Sequence, residues 1–166
     1  MSNTVSQIKF GTDGWRAVIA DTYTLENVRI LTQAVADYLG MGKKVAVGYD
    51  TRFMSAKFAQ AAAIVLQNND IEVVLSDRPT PTPALSFVVK TRKLDLGIMI
   101  TASHNPAEYN GFKIKNSAGG GASQEITRAV ESLLSKTPVK DAPLACPIKP
   151  VDIIKDYIKF IRNYID

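Results

Sequence analysis

At 166 residues, 46% apolar and 22% charged, the chain has the size and composition of one globular domain with a real core, which argues against disorder. Twenty Lys and Arg against sixteen Asp and Glu give a net charge of +4. It is spread in pairs such as Lys43-Lys44 and Arg92-Lys93 rather than gathered into the basic stripe of a nucleic-acid binder, so an anionic small substrate stays open and a nucleic acid is not expected.

Thr24 can cap a helix whose Leu25, Val28, Leu31, Val35 and Leu39 recur at spacings of three and four. "KKVAVGYD" then reads as a strand buried on both faces, Ser55 to about Asn68 as a helix, and "IEVVLSD" as a second buried strand. Thr82 and Pro83 start a short helix through about Lys90, and "LDLGIMIT" is a third buried strand. Asn110-Gly111 is a turn signal, after which Phe112 to Lys115 alternates apolar with basic as a fourth, less buried strand. Ser123 caps a helix with Ile126, Val130, Leu133 and Leu134 on one face. Residues 1–136 are thus expected to form the α/β core, and the four prolines of 137–150 a linker. Residues 151–166 follow as an amphipathic helix whose Val151, Ile154, Ile158, Ile161 and Ile165 need a surface to cover, in another domain or in a second copy of the chain. The sequence reads as cut at Asp166, where that helix would enter a second domain.

The lone Cys146, beside Pro147, permits no intrachain disulfide and suits a reducing compartment. "MSNTVSQIKF" lacks the regions of a signal peptide, and the longest apolar run, Ala61 to Leu66, is far too short to cross a bilayer. The expected location is the cytoplasm, away from membranes. One histidine and one cysteine cannot build a closed metal site.

Alternating strands and helices imply parallel pairing, with ligands beyond the carboxyl ends of the strands. "YDTRFMS", "DRPTPTPA" and "TASHNPAEYNG" fall there, so Asp50, Arg52, Thr80, Thr82, Ser103 and His104 are expected to converge, with Arg16 supplied by "FGTDGWRA". Ser103 needs a base or a strong electrostatic environment to react. His104, next in sequence, points away from it, and the glycines of a nucleophile elbow are absent, which disfavours a Ser-His hydrolase. A serine on a tight loop near Lys113, Arg16 and Arg52 suits a phosphoryl group instead. The bland alternatives are an Asx turn closed by Pro106, a surface histidine, and Lys113 and Lys115 on the solvent face of an edge strand.

Taken together, "TASHNP" followed by "NGFKIK", with "FGTDGWR", "GYDTR" and "PTPTPALSF" in the right order, closely resembles the first domain of the α-D-phosphohexomutase superfamily, the phosphoglucomutases and phosphomannomutases, over roughly residues 8 to 166. The resemblance implies a three-layer α/β/α sandwich with a mixed, mostly parallel four-stranded sheet, in a parent of four domains. It implies that Ser103 carries the phosphoryl group, donates it to a hexose monophosphate to give a bound 1,6-bisphosphate, and receives the sugar's other phosphate in return. Arg16 and Lys113 then match basic residues at the transferring group and His104 the histidine of the phosphoserine loop. Asp50, Arg52, Thr101, Asn105 and Asn110 are expected to support the substrate and the phosphate loop. Magnesium, in the family, bridges the phosphoserine and three aspartates of a "DGDGDR" loop that this sequence lacks, so only Ser103, through its phosphate, is expected as a metal ligand here. The expected activity is interconversion of hexose 1-phosphate and hexose 6-phosphate, of glucose and/or mannose, with glucose 1,6-bisphosphate as intermediate and activator. The fragment alone is expected to be inactive for want of the parent's domains 2–4. The alternatives are a phosphoglucosamine mutase domain or a noncatalytic binding module of the same fold.

Overall fold

The computed structural model describes residues 8–12, 14–144 and 147–165; Asp13 of the N-terminal motif, the thiol of Cys146 and most of the starting segment "MSNTVSQIKF" lie outside them. The elements, in chain order, are β1 (Trp15–Val18), α1 (Leu25–Leu39), β2 (Lys44–Tyr49), α2 (Ser55–Asn68), β3 (Glu72–Leu75), α3 (Thr82–Thr91), β4 (Leu96–Ile100), β5 (Tyr109–Asn116), α4 (Gln124–Ser132) and α5 (Ile154–Arg162). The sheet runs β1-β5-β4-β2-β3. β2 pairs in parallel with β3 and β4, whereas β5 is reversed and pairs antiparallel with both β4 and β1.

Period-two alternation divides the core. Val45, Val47, Ile98, Ile100 and Phe112 face the α1, α2 and α4 side. Ala46 and Met99 face the other side, where Leu85, Val88 and Val89 of α3 and Ile153, just before α5, complete a smaller cluster. On that side a Cβ at Gly97 would sit 2.7 Å from Val89 Cγ2 and one at Gly48 would sit 3.3 Å from Leu85 Cδ1, so the small residues let α3 lie close to the sheet. The result is the expected three-layer α/β/α arrangement.

Local chemistry explains the helix starts. Thr24 Oγ1 accepts from the Asn27 amide at 3.1 Å and Ser123 Oγ from the Ile126 amide at 3.3 Å, each occupying a donor that the first turn leaves unpaired. Pro83 stands in the first turn of α3, where no amide hydrogen is required. α5 rests on α3 through Phe87, whose ring centroid lies 5.7 Å from Tyr157 and 4.8 Å from Phe160. Just before it, Val151 bridges the outer edge of β3, with its amide donating to Leu75 and its carbonyl accepting from Asp77.

Two expectations are corrected. The sheet has five strands rather than four, because the short segment around Trp15 pairs with β5. β5 is consequently an inner strand, buried from Asn110 to Ile114, and not a less buried one. Its Asn110-Gly111 pair lies within the strand rather than at a turn. Glycine is needed there for a close approach: a Cβ would meet the Thr101 carbonyl oxygen at 2.5 Å and that of Trp15 at 3.0 Å. Gly111→Ala should therefore cost at least about 2 kcal/mol of stability through overpacking against backbone. Gly121→Ala, where no heavy atom lies within 4 Å, should change it by less than about 0.5 kcal/mol. Urea unfolding of the two variants measures the contrast.

Candidate active site

β4 ends at Ile100 and β5 begins at Tyr109, so residues 101–108 form a loop at the carboxyl end of the parallel strands. It is hung from both. The Thr101 amide donates to the Gly111 carbonyl at 2.9 Å and the Asp50 amide, at the end of β2, to the Ile100 carbonyl at 3.1 Å. Within the loop the Ser103 amide donates to Thr101 Oγ1 at 3.0 Å and the Asn105 amide to the Ala102 carbonyl at 3.1 Å. Ser103 adopts φ +58°, the left-handed region that a non-glycine residue enters only when its surroundings impose it. Ser103 and His104 are exposed, whereas Thr101 is buried.

Arg52 sits against the loop's carbonyl side. Its two terminal nitrogens donate to four main-chain carbonyls: Ser103 at 2.8 Å, Asn105 at 2.6 Å, Pro106 at 2.7 Å and Tyr109 at 3.1 Å. Its Nε lies 3.3 Å from Asp50 Oδ2, and both side chains are largely covered. The other oxygen of Asp50 accepts from the Arg52 amide at 3.0 Å and from Ser55 Oγ at 2.7 Å, placing the carboxylate at the positive amino end of α2. Ser55 Oγ in turn accepts from Asn110 Nδ2 at 2.9 Å, and Asn110 Oδ1 accepts from the Gly111 amide at 2.8 Å. Asn110 is fully buried. These bonds join β2, α2, β5 and the serine loop in one network.

Arg16, opposite Gly111 in the β1–β5 register, extends a guanidinium nitrogen to Asn105 Oδ1 at 2.7 Å. With Lys9, Gly11, Thr12 and Gly14 it lines a cleft of about 280 Å³. Lys113 lies on the same sheet face, two residues along β5 from Gly111; its Cγ would be 3.0 Å from a Cβ on Gly14, so the glycine leaves it room. Only 5% of Lys113 is exposed. The loop, Arg16 and Arg52 thus come together, while the threonines of "PTPTP" do not join them. Thr80 is buried on Ser76 at 2.6 Å and Thr82 opens α3.

Tyr23 carries no signal of its own in the sequence, yet with Ser55 and the Trp15 strand it builds the floor. Tyr23 stacks on Trp15, meets Phe58 edge-on, and donates its hydroxyl to the Gly111 carbonyl at 2.8 Å, the same oxygen that accepts from Thr101. Among the described residues no group of three or more His, Cys, Asp or Glu side chains is placed to hold a metal ion. None of the described helices is long and apolar enough to cross a membrane.

The family model described as phosphoglucomutase/phosphomannomutase, alpha/beta/alpha domain I, matches residues 7–140. The chain belongs to the phosphoglucomutase/phosphomannomutase family. Within it, a phosphoglucomutase of Staphylococcus saprophyticus is 38% identical over 139 residues, covering 76% of this chain, and one of Staphylococcus aureus strain MRSA252 is 35% identical over 179 aligned positions, covering 96%. This domain I spans only 25% and 32% of those two relatives. Among solved structures, a phosphomannomutase family member from Thermus thermophilus superposes with a TM-score of 0.88 at 36% identity, over 96% of this chain and 36% of that one. The parafusin phosphoglucomutase of Paramecium shares the fold at 22% identity, with a TM-score of 0.79 over all of this chain and 36% of its own.

Burial, with a smaller contribution from the charge of Asp50, raises the Tyr23 phenol well above its ordinary pKa. The folded state keeps this proton while the unfolded chain loses it near pH 10, so Tyr23 makes stability fall as pH rises above about 10. Tyr23→Phe should flatten that alkaline limb while costing about 1 kcal/mol at pH 7 through the lost bond to Gly111. Urea midpoints between pH 7 and 11 measure both effects.

Proposed function

We propose that this chain is the catalytic-serine domain of a mutase that interconverts hexose 1-phosphate and hexose 6-phosphate, of glucose and/or mannose, through a phosphoserine at Ser103. The observation that carries this reading is the exposed Ser103 on a loop fixed by Arg52 and reached by Arg16 at the carboxyl end of the strands. Membership of the family and the phosphoglucomutase names of its curated relatives support the substrate class.

In the proposed reaction a sugar hydroxyl attacks the phosphorus on Ser103, the bond from phosphorus to Ser103 Oγ breaks, and a bound 1,6-bisphosphate forms. After the sugar turns over, the other phosphate returns to Ser103. Each transfer moves one proton between the sugar hydroxyl and Ser103 Oγ, for which Lys113 and His104 are the candidate carriers. Arg16 and Lys113 supply positive charge beside the phosphoryl oxygens, the kind of electrostatic contribution on which phosphoryl transfer chiefly relies. Glucose 1,6-bisphosphate serves as intermediate and activator. Magnesium would meet these residues only through the Ser103 phosphate.

The chain spans 25–32% of its curated relatives, and in this reading the sugar and its distal phosphate are held by parts of the parent outside these residues, so that the chain alone should be inactive. The test uses a coupled glucose 6-phosphate assay with glucose 1-phosphate, magnesium and catalytic glucose 1,6-bisphosphate. The full natural polypeptide carrying this chain should turn over. Ser103→Ala should abolish that turnover and Lys113→Met should lower it at least about a hundredfold. Residues 1–166 alone should give none. Undiminished activity in Ser103→Ala would sink the reading and favour a binding module; near-normal turnover in a folded Lys113→Met would return that lysine to a structural role.

A further inference from the structure

We propose that Arg52 is a positioning residue for the phosphoserine loop: it takes no part in holding substrate, and instead sets the left-handed backbone of Ser103 and turns two loop amides outward. This rests on the reading of Ser103 as the phosphoryl carrier.

The count of donors carries the first half. A guanidinium has five N–H groups in a rigid plane. Four are engaged by the carbonyls of Ser103, Asn105, Pro106 and Tyr109, and the fifth, on Nε, faces the Asp50 carboxylate, with Nε 3.3 Å from Oδ2. No donor remains for a phosphate, and the Asp50 carboxylate, itself fixed by Ser55, offsets the charge. Arg16 is oriented differently, since it reaches the loop from β1 through the Asn105 side chain and lines the open cleft. The two arginines that the sequence puts beside the serine therefore have separate tasks.

The geometry of the peptide carries the second half. In a planar trans peptide the N–H points opposite to the C=O. Drawing the Ser103 and Pro106 carbonyls onto Arg52 turns the amides of His104 and Ala107 the other way, toward the exposed side of the loop. Among the described residues neither amide has a partner. They are available to the oxygens of a phosphoryl group on Ser103, a fixed pair of dipoles that needs no rearrangement during transfer. A single ammonium could not replace the clamp, because four carbonyls spread over seven residues require the planar fork.

Two measurements on Arg52→Lys and Arg52→Met test the role. Hydrogen exchange of the amides in 101–109 should speed up at least about tenfold relative to the unsubstituted chain, while amides of α1 and β2 keep their protection. In the full natural polypeptide kcat should fall at least about a hundredfold with KM for glucose 1-phosphate within about threefold, and lysine should not rescue it. Unchanged exchange in the loop would overturn the clamp, and a raised KM with preserved kcat would make Arg52 a substrate ligand. Should the Arg52 variants fail to fold, Asp50→Asn removes the counter-charge and keeps the shape. The same acceleration confined to 101–109 supports the proposal there, and its absence overturns it. If the unsubstituted protein never carries phosphate on Ser103, the functional reading fails while the exchange data still decide the role of Arg52.

Discussion

The reversal of one strand is the constraint on which the rest of this molecule depends. β4 runs parallel to β2 and β5 returns antiparallel beside it, so the eight residues between β4 and β5 are held at both ends by strands of the same sheet. The tie is close: the Gly111 carbonyl accepts from both the Thr101 amide and the Tyr23 hydroxyl, and nothing larger than glycine fits at that crossing. A loop anchored this way loses little further entropy when its serine is asked to meet a ligand, which is what preorganised catalysis requires.

Electrostatics and packing then act on opposite sides of that loop. On its carbonyl side the Asp50, Ser55 and Asn110 network absorbs the charge of Arg52 and converts it into backbone geometry. On the exposed side Arg16 faces a cleft, while Lys113 is almost fully buried beside Gly14, which precedes β1 and leaves its side chain room. An arginine whose donors meet four carbonyls and a carboxylate contributes rigidity, whereas one that lines a cleft stands where an incoming anion would meet its charge. The same residue type thus serves two ends within one site.

Much of this was legible in the sequence because it is written in local signals. Thr24, Ser123 and Pro83 announce helix starts through hydrogen-bonding rules that need no tertiary context, and the apolar runs of β2 and β4 reveal strands covered on both faces. What was hidden depends on partners distant in the chain. β1 is four residues long and only Trp15 is buried in it, too little for a periodic signal. Asn110-Gly111 has the chemistry of a turn, and only the carbonyl of Thr101 explains why that chemistry is placed inside a strand. Lys113 alternates with Phe112 and Ile114 as a solvent-facing lysine would, and becomes buried because β1 and the Gly14 segment lie alongside. The resemblance in the loop motifs identified the family, but it did not distinguish the arginine that clamps the loop from the one that faces the cleft.

The central claim is that this loop exists to present Ser103 as a phosphoryl carrier. The most direct measurement is the location of phosphate in the full natural polypeptide, mapped on peptides by mass spectrometry after incubation with glucose 1,6-bisphosphate and again after excess glucose 1-phosphate. The account predicts phosphate on Ser103 that the sugar monophosphate removes as bisphosphate appears. Phosphate on another residue, or none on Ser103 after either incubation, would contradict it.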